Sequence, residues 1–511
     1  MAKRPAIVLI GFMGAGKTTG ARMVAGALRV RTVDTDKRIE KHVGMTIPQF
    51  FGRNGEGAFR EIEERITLEV LDQADGDVIS LGGGTLQSAK VREALRAHIV
   101  VLLDVSLATA WRRAKRSSRP LAKDRAAFEA RYHDRQATYE TVADVILPEV
   151  DRQLLRPAIP VIRAVKQANG AQLLWAHTAS GGYPVWLRPG LLRDLPPWPL
   201  PETSRRIAVT DENVAEHHAG RVPDLAGIVE FPAGEAHKTL ATCERVWGAM
   251  VQQGVTRSDH VVAIGGGVVG DLAGFVAATY QRGIPVVQVP TTLVAQVDSA
   301  YGGKTGVDLP AAKNYVGAYH QPAAVMVDPD ALQTLPREEL AAGYAEVVKT
   351  ALIAGGGLWD QVSSGAPVDP LTVLRCARTK LQVVADDERD GGRRQVLNLG
   401  HTIGHAIETV TDYTRYRHGE AVGLGLLAAL RLSGQDALRD QVSGLLANAG
   451  LPTTMDAAID VDEVHAATAK DKKRLGSAPV PFVVVREPGD VRFGQQLAAK
   501  DVRAAVAELA G

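Results

Sequence analysis

Short hydrophobic runs alternate with amphipathic helical patterns along the first part of this 511-residue chain. Each run is too short for a helix and is bounded by turn residues, so the runs predict buried strands. The strand candidates are residues 6–10, 78–81, 99–103 and 145–147. Apolar residues at helical spacing fill the gaps, for example at 59–71 and 126–142. This alternation is typical of βαβ units and predicts an α/β domain over 1–150, with a parallel sheet covered by helices on both faces.

The periodic pattern is lost in the middle of the chain. Pro157, Pro160 and a Gly-rich stretch at 180–182 predict a linker over 151–182. Further strand candidates then follow at 184–187, 207–210, 261–264 and 285–289. After about Pro336, long Ala, Leu and Val patterns at helical spacing replace them. The sequence therefore predicts a second α/β domain over 183–335 and an all-helical domain over 336–511.

Charge and cysteine content limit the classes of partner. The formal net charge of +1 is too small for general binding to nucleic acid or to a membrane surface, so we expect small anionic ligands, no nucleic-acid partner and no membrane partner. Cys243 and Cys376 are too few for a disulfide framework. The apolar run at 6–10 is too short for a signal-peptide core or a membrane span. Together these features predict a cytoplasmic protein.

A glycine-rich segment, GFMGAGKT at residues 11–18, follows the first predicted strand and opens the first predicted helix. It fits the pattern G-x-x-x-x-G-K-[ST], in which backbone N–H groups surround a polyphosphate. Lys17 would reach the outer phosphates, and the Thr18 hydroxyl would ligate Mg²⁺. The alternative is a glycine-rich turn without a nucleotide, which the strand–loop–helix setting disfavours. The first domain is therefore predicted to bind a nucleoside triphosphate.

Three more features suggest what accepts the phosphoryl group. Of the carboxylates Asp34 and Asp36, one can hold Mg²⁺ through water while the other accepts a hydrogen bond from a substrate hydroxyl. Arg60 lies on a predicted helix and can bind a carboxylate with two hydrogen bonds. The glycines at 82–84 end a strand, where backbone can approach a ligand. Each feature alone has an ordinary alternative, namely a solvated Asp, a surface Arg and a tight turn.

The first domain resembles shikimate kinase over nearly its whole length. The matching motifs are GFMGAGKTT, DTDKRIE, FREIE, LGGGT, the Arg-Pro-Leu segment at 119–121 and the Arg135…Tyr139 helix. The resemblance implies ATP with Mg²⁺ as cofactor and shikimate as substrate. It implies nucleotide contacts by Gly14, Ala15, Gly16, Lys17, Thr18, Thr19 and Arg119. It implies that Thr18 and Asp34 organise Mg²⁺, and that Asp36, Arg60, Gly83 and Arg135 hold shikimate. Catalytic roles fall to Lys17, to Asp36 as general base, and to Arg119 on a mobile lid.

A second glycine cluster, GGGVVGD at 265–271, lies between a predicted strand and a predicted helix. This position favours a dinucleotide pyrophosphate, although the spacing is not G-x-G-x-x-G. Thr291 and Thr292 follow the next strand, where hydroxyls can reach a ribose or a phosphate. Four further polar residues are close in sequence, namely Asp298, Lys304, Lys313 and Asn314. So many polar groups close together indicate a binding site.

The helical domain carries a metal-like pattern. Its members are Glu346, His401, His405, His418 and Glu420. One carboxylate and two imidazoles are a common Zn²⁺ ligand set that leaves positions open for substrate oxygens. The alternative for any single histidine is a packed or surface residue. Nearby cations favour an anionic, phosphorylated substrate. These cations are Arg282, Lys349, Lys380, Arg394, Lys472 and Lys473.

From about Tyr183 onward the sequence resembles 3-dehydroquinate synthase. The matching motifs include GGGVVGDLAGF, PTTLVAQVDS, GGKTGV, GYAEVVK, LNLGHTIGHAIE, HGEAVG and DKK at 471–473. The resemblance implies Zn²⁺ or Co²⁺ ligated by Glu346, His401 and His418. It implies NAD contacts by Glu235, Lys238, Gly267, Val268, Val269, Gly270, Asp271, Thr291, Thr292, Lys304 and Lys313. Substrate contacts are implied for Asp298, Asn314, Lys349, Lys380, Arg394, Asn398, His405 and Lys472 or Lys473. Of these, Lys349, Lys380, Arg394, Asn398 and His405 would be catalytic.

Both resemblances together imply a fold class and a function. The fold is a P-loop kinase domain, then an α/β NAD-binding domain, then a helical metal-binding domain. The implied function is a bifunctional enzyme that phosphorylates shikimate and converts a phosphorylated seven-carbon keto-acid to 3-dehydroquinate with phosphate release and no net use of NAD. A homodimer through the synthase unit is implied. The alternatives are a related NAD- and metal-dependent polyol dehydrogenase, or a unit that has become a non-catalytic binding module.

Overall fold

The computed structural model describes residues 3–115, 124–148, 152–310, 312–469 and 480–510, without the side chains of 152–155. The chain divides into two compact units. The first comprises Met1–His177, Gly181–Trp186 and Asp194–Pro197, and the second comprises Thr178–Ser180, Leu187–Arg193 and Trp198–Gly511. Within the described residues, no helix has the length and hydropathy to span a membrane.

The first unit is an α/β layer structure built from alternating strands and helices. Its elements are β1 (Ile7–Ile10), α1 (Lys17–Leu28), β2 (Thr32–Asp34), α2 (Thr35–Val43), α3 (Ile47–Asp72), β3 (Val78–Ser80), α4 (Ala89–Leu95), β4 (Ile99–Leu103), α5 (Leu107–Ala114), α6 (Arg125–Val142), β5 (Val145–Leu147), α7 (Arg152–Ala164), β6 (Gln172–Thr178) and β7 (Gly181–Leu187). The strands lie in the order β2-β3-β1-β4-β5-β6-β7. All the pairs from β2 to β6 are parallel. The predicted parallel sheet is thus confirmed.

The segment expected to be a linker, 151–182, forms regular structure instead. Helix α7 contains both Pro157 and Pro160. A proline in a helix interior removes a hydrogen bond, yet the apolar side chains of Ala158 and Ile162 are buried, and this packing stabilises the helix despite that loss. A short 3₁₀ helix (Val165–Ala168) and a turn lead from α7 to β6, which is largely buried. The two prolines suggested a linker where the structure has a packed helix. The domain boundaries drawn from the sequence remain predictions.

The second unit begins with another α/β region. Its elements are β8 (Arg206–Asp211), α8 (Glu212–His218), β9 (Leu225–Phe231), α9 (Leu240–Gln252), β10 (His260–Gly265), α10 (Gly267–Thr279), β11 (Val286–Pro290), β12 (Lys304–Leu309), β13 (Ala312–Tyr319) and β14 (Ala324–Val327). Five strands lie in the order β14-β11-β10-β8-β9 and pair in parallel. Strands β12 and β13 form a separate antiparallel hairpin. The sequence did not predict this hairpin, because glycines and polar residues interrupt its alternation.

The rest of the second unit is mainly helical, as predicted. Its elements are α11 (Arg337–Ala354), α12 (Gly356–Ser363), α13 (Pro370–Asp386), α14 (His401–Val410), α15 (His418–Leu432), α16 (Asp436–Asn448), α17 (Val461–Thr468), β15 (Phe482–Glu487), β16 (Asp490–Gln495) and α18 (Ala499–Ala507). The antiparallel hairpin of β15 and β16 is the exception to an all-helical domain. It turns at Pro488-Gly489, where Gly489 has φ of 94°. The sequence did not predict β15, because its consecutive apolar residues do not alternate with polar ones.

Candidate active sites

The glycine-rich loop between β1 and α1 forms a backbone cradle. Gly14 and Gly16 both have φ of 86°, which other residues rarely adopt. A Cβ at Gly14 would lie 2.8 Å from the Ala110 carbonyl oxygen. Lys17 is buried and its Nζ donates to the carbonyl oxygens of Gly11 (2.8 Å) and Phe12 (3.1 Å). The loop therefore has the shape and the cation that a polyphosphate requires.

Two predicted Mg²⁺ groups are in direct contact beside this loop. The Thr18 hydroxyl donates to Asp34 Oδ2 at 2.7 Å. Asp34 ends β2 and caps α2, where its Oδ1 accepts from the Lys37 N–H at 3.2 Å. The cap fixes the direction of this carboxylate. An oxygen pair of this kind suits Mg²⁺, which binds one or two protein oxygens and keeps several waters.

The glycine turn at 82–84 gathers the three residues predicted to bind the acceptor. A Cβ at Gly82 would lie 3.1 Å from Asp36 Oδ1, and one at Gly84 would clash with the Arg60 guanidinium. The Gly83 carbonyl oxygen accepts from Arg135 Nη1 at 2.8 Å. A Cβ at Gly83 would come within 3.7 Å of the Gly11 carbonyl oxygen, so this turn also borders the phosphate loop.

Electrostatics at this turn are dominated by two arginines with incomplete hydrogen bonding. Burial opposes the charge of Arg60, but Glu63 and Glu56 raise the pKa of its guanidinium. Arg60 lies 2.5 Å from Glu63 and 2.9 Å from Glu56. The buried Nε atoms of Arg60 and Arg135 have no hydrogen-bond partner among the described residues. Unsatisfied buried donors are costly, so they indicate space for a ligand that accepts hydrogen bonds.

In the second unit, the 265–271 turn joins β10 to α10 as predicted for a dinucleotide site. A Cβ at Gly266 would lie 2.7 Å from Thr292 Cγ2, so the turn packs closely against the segment after β11. Lys238 is buried and its Nζ donates to Asp271 Oδ2 (2.7 Å) and Asn314 Oδ1 (2.6 Å). Burial disfavours its charge, yet Asp271 and Glu235 raise the pKa of Lys238. The cradle and the fixed cation suit NAD.

The three predicted metal ligands meet at one point. Single donor atoms of Glu346, His401 and His418 all lie within 4.8 Å of one another. Glu346 Oε1 is 3.5 Å from Nε2 of each imidazole, which is longer than a good hydrogen bond. The Glu346 side chain is 1% exposed, and its Oε2 pairs with Lys349 while its Oε1 faces the two imidazoles. A buried carboxylate facing two imidazole nitrogens in this way fits a divalent metal ion.

Lysines surround a second carboxylate beside this metal set. Lys349 Nζ lies 2.7 Å from Asp298 Oδ2 and 2.5 Å from Glu346 Oε2. Lys380 Nζ donates to the Asp298 carbonyl oxygen at 2.6 Å and also pairs with the Asp298 carboxylate. Burial opposes ionisation of Asp298, but both lysines hold its pKa well below the usual value. The pKa of Lys380 is lowered by burial and by Arg394, whereas Asp298 partly offsets this.

Comparisons with known proteins identify the family of the second unit. Residues 228–342 and 343–474 match the N-terminal and C-terminal family models of 3-dehydroquinate synthase. The 3-dehydroquinate synthase of Symbiobacterium thermophilum is 43% identical over 333 residues, which cover 60% of this chain and 92% of that relative. The same enzyme of Halorhodospira halophila is 43% identical over 334 residues, covering 62% of this chain and 93% of the relative. The chain belongs to the 3-dehydroquinate synthase family.

The first unit contributes a second enzyme to this synthase. Residues 13–163 match the shikimate kinase family model, so the chain is a bifunctional enzyme of the shikimate pathway, as predicted. A solved structure of 2-epi-5-epi-valiolone synthase from Streptomyces hygroscopicus, which contains NAD⁺ and Zn²⁺, is 28% identical with a TM-score of 0.58. The match covers 64% of this chain and 96% of that protein. It agrees with the α/β-then-helical architecture of the synthase unit.

Other predicted residues of the synthase unit lie around these groups in varied settings. Arg394 is 2% exposed and donates to the carbonyl oxygens of Gly302 (3.0 Å) and Glu388 (2.5 Å). Asn398 is half-buried in the short helix before α14. The His405 ring centroid is 5.3 Å from that of His401. Thr291 is buried and Thr292 is half-buried after β11.

Some residues predicted to bind ligands have side chains that point to the core or to solvent, and others lie outside the described residues. Val269 is completely buried in the core, so only its backbone can face a ligand. Lys304 is exposed and pairs with Asp390. Thr19 is exposed on α1. The predicted lid residue Arg119 and the pair Lys472 and Lys473 lie outside the described residues.

The sequence missed several residues that the synthase and kinase sites contain. Glu408 is 2% exposed, and its Oε1 lies 3.3 Å from Lys313 and 3.4 Å from His418 Nδ1. Burial opposes its charge, but His418 and Lys313 hold the pKa of Glu408 at about 2. Glu63 accepts from Thr85 at 2.9 Å and pairs with Arg60. Glu408 stands three residues after His405, which is one helical turn, and this spacing was the available signal.

Proposed function

We propose that the first unit transfers the γ-phosphoryl group of ATP to the 3-hydroxyl of shikimate with the residues around the 82–84 turn. The observation that carries the proposal is that this turn contacts Asp36, Arg60 and Arg135 and also borders the phosphate loop. Asp36 would accept the hydroxyl proton, while the arginines bind the shikimate carboxylate. Lys17, Thr18 and Asp34 would hold the nucleotide phosphates and Mg²⁺. Such positioning and charge neutralisation account for most of phosphoryl-transfer catalysis.

For the second unit we propose conversion of 3-deoxy-D-arabino-heptulosonate 7-phosphate to 3-dehydroquinate. The observation that carries this proposal is the convergence of Glu346, His401 and His418 beside the Lys349–Asp298–Lys380 cluster. NAD and a divalent ion, Zn²⁺ or Co²⁺, would supply transient oxidation and polarisation of a ring hydroxyl. The three side chains named first would hold the ion.

The remaining charged groups of the synthase unit suit a substrate with a carboxylate and a phosphate. Lys349, Lys380 and Arg394 are buried cations that can bind both anions and stabilise the phosphate as it leaves. Glu235, Lys238 and Lys313 form the ion pairs next to the proposed dinucleotide position. Lys238 is 4% exposed and Lys313 is 22% exposed, so water has little access to these cations, which strengthens their charge interactions and protects a transient reduced cofactor.

The test is a pair of activity assays on the purified full chain. Shikimate-dependent ADP formation tests the first unit. For the second unit, phosphate release is measured together with absorbance at the wavelength of reduced nicotinamide. We expect one phosphate per dehydroquinate and no net accumulation of NADH, because the cofactor is regenerated in each turnover. A polyol dehydrogenase would accumulate NADH without releasing phosphate, and a non-catalytic module would show neither product.

Oligomeric state and location belong to the same proposal. Family resemblance of the synthase unit supports a homodimer, which light scattering coupled to gel filtration tests directly. Both cysteines are free and buried, which supports a reducing cytoplasm. We propose no nucleic-acid and no membrane partner, and expect cell fractionation to recover both activities together in the cytoplasmic fraction.

A further inference from the structure

A buried glutamate that the proposed reaction does not use lies between the two cofactor positions of the synthase unit. Glu408 is on α14, two helical turns after His401. Its Oε1 lies 3.4 Å from His418 Nδ1 and 3.3 Å from Lys313 Nζ. Its Oε2 has no hydrogen-bond partner among the described residues. One carboxylate oxygen therefore faces a proposed metal ligand and a proposed dinucleotide contact at once.

The contact with His418 concerns the orientation of that ring. His418 presents Nε2 to Glu346 at 3.5 Å and Nδ1 to Glu408 at 3.4 Å, so the two acids face opposite nitrogens. An imidazole that binds a metal through Nε2 carries its proton on Nδ1 and needs an acceptor for it. His418 is 38% exposed, so it depends on such an acceptor more than a packed ring would.

Through Lys313, Glu408 is connected to the residues proposed to bind the dinucleotide. Lys313 also lies 3.4 Å from Glu235, and burial of this lysine is offset by Glu408 and Glu235, which raise its pKa. Lys313 lies near the start of β13 and precedes Asn314, whose side chain accepts from Lys238. Lys313 and His418 therefore compete for the same Glu408 oxygen, and the position of Lys313 depends on which of the two this oxygen contacts more closely.

We infer that Glu408 is a positioning residue that orients His418 for the metal and, when no metal is bound, engages Lys313, and that it thereby couples metal binding to dinucleotide binding. This rests on the proposed function of the second unit. With an ion held by Glu346, His401 and His418, the Nδ1–H of His418 would be a stronger donor to Glu408, and Lys313 would then be free to bind a phosphate. Metal binding therefore tightens dinucleotide binding, and the reverse holds by linkage.

A different role for Glu408 would be to ligate a second ion. Donor atoms of His405, Glu408 and His418 also lie within 4.8 Å of one another. Both donor groups share His418, however, and a neutral imidazole that binds an ion through Nε2 carries its proton on Nδ1 and cannot ligate a second ion there. We therefore expect one ion per chain, and metal stoichiometry separates the two roles.

The experiment uses the full chain, stripped of metal and titrated with Co²⁺. Visible absorption reports the ligand geometry, chelator competition gives the Co²⁺ affinity, and calorimetry gives the NAD affinity with and without Co²⁺. For Glu408→Gln we expect Co²⁺ binding to weaken by about 10-fold to 100-fold and the Co²⁺ spectrum to change. In the unsubstituted chain we expect Co²⁺ to tighten NAD binding by about 5-fold or more, and this effect to disappear in Glu408→Gln.

Two further variants separate positioning from general damage. Lys313→Gln should weaken NAD binding and remove the effect of Co²⁺ on it. It should not weaken Co²⁺ binding itself, because Glu408 then faces His418 alone. Asp412→Asn removes an exposed carboxylate just beyond α14 and should change neither affinity. If Glu408→Gln fails to fold, Glu408→Asp replaces it. The shorter acid cannot reach both partners, so an intermediate loss of Co²⁺ affinity is expected.

The outcomes point to different conclusions. An unsubstituted chain that binds no Co²⁺ would overturn the proposed metal function and this inference with it. If that chain binds Co²⁺ but the folded Glu408 variant has the same affinities and spectrum, the inference alone is wrong. Two ions per chain, reduced to one in the variant, would make Glu408 a ligand and would also overturn the positioning role.

Discussion

The two active sites hold their cations in different ways. In the kinase unit, Lys17 donates to the carbonyl oxygens of Gly11 and Phe12, which are neutral acceptors. In the synthase unit, Lys238 faces Asp271, and Lys349 lies between Asp298 and Glu346. Lys17 is thus held by backbone carbonyl oxygens of its own loop, whereas the synthase cations are held by side-chain carboxylates.

This difference has consequences for ligand binding. A phosphate that reaches Lys17 can replace two backbone carbonyl oxygens as its partner, and this exchange adds the attraction between opposite charges. A substrate anion in the synthase site must compete with internal carboxylates, so the net gain per contact is smaller and the site depends on the whole network. The kinase site should therefore be sensitive to one residue, and the synthase site to pairs and to their metal.

The sharpest test of the first half of this contrast is Lys17→Ala. We expect shikimate kinase kcat to fall by about 10⁴-fold, because Lys17 is the buried cation of the phosphate loop and such charges carry much of phosphoryl-transfer catalysis. Phosphate release by the synthase unit should be unchanged. The measurement is ADP formation at saturating shikimate, alongside the synthase assay on the same preparation.

A matched control for this variant is Lys41→Ala, which removes an exposed lysine from α2. It should retain both activities. Loss of synthase activity in a folded Lys17→Ala protein would contradict the independence of the two sites.

His401→Ala tests the dependence of the synthase site on its metal. We expect synthase kcat to fall by about 10³-fold, because loss of the ion removes several kcal/mol of charge stabilisation. Chelator treatment of the unsubstituted chain should produce the same loss, reversed by added Zn²⁺ or Co²⁺. The exposed His217 supplies the control, since His217→Ala should keep the metal and both activities. Kinase activity, assayed with Mg²⁺ restored, should survive in all these samples.

Asp298→Asn tests the ion network by stability. The substitution leaves Lys349 and Lys380 buried with one counter-charge fewer, and breaking a buried pair costs about 3 kcal/mol of unfolding free energy. Urea unfolding of the second unit, followed by circular dichroism, gives the change. Asp386→Asn removes an exposed partner of Arg393, so its effect should stay below about 1 kcal/mol. Equal losses of unfolding free energy in the two variants would show that the buried ion pairs contribute no more to stability than an exposed pair.

The same contrast explains what the sequence could predict. The phosphate loop, Asp34 and Asp36 follow strands directly, and the carboxyl ends of parallel strands meet at one edge of a sheet. Local pattern and topology together therefore determine this site. The metal set Glu346, His401 and His418 comes from three helices, and only the family resemblance assigned these three residues to it.

Sequence spacing alone could not predict the ion network of the synthase unit. The link from Glu408 to Lys313 joins residues that are 95 positions apart, and it depends on how the β12–β13 hairpin lies against α14. No periodic pattern encodes that placement. The contacts of Glu63 and the helix across Pro157 and Pro160 escaped prediction for the same reason, since packing outweighs local preference at each.

The smallest expected effect concerns the response of the two units to acid. In the kinase unit, His98 Nδ1 accepts from the Ala6 N–H at 3.2 Å, and burial lowers the pKa of His98. In the synthase unit, His260 Nε2 accepts from Trp198 Nε1 at 3.0 Å, and burial with nearby Arg206 lowers the pKa of His260 to about 4, against an opposing effect of Asp259. Each ring can accept this hydrogen bond only while the accepting nitrogen is unprotonated.

His260 should therefore make the synthase unit sensitive to acid. Because the folded pKa is about 4 and the unfolded value about 6.5, the unfolded state binds more protons between these values, and stability falls as pH drops from 6.5 to 4. From pH 7 to pH 5 the loss due to this ring is about 2 kcal/mol. The variant His260→Gln, whose amide oxygen can still accept from Trp198, should lose less stability over that range than the unsubstituted chain. Urea unfolding at both pH values measures the difference, and His217→Gln should leave it unchanged because that ring is exposed. An identical pH dependence in His260→Gln would mean that the carboxylates of the ion network, and not this histidine, determine the acid response of the unit.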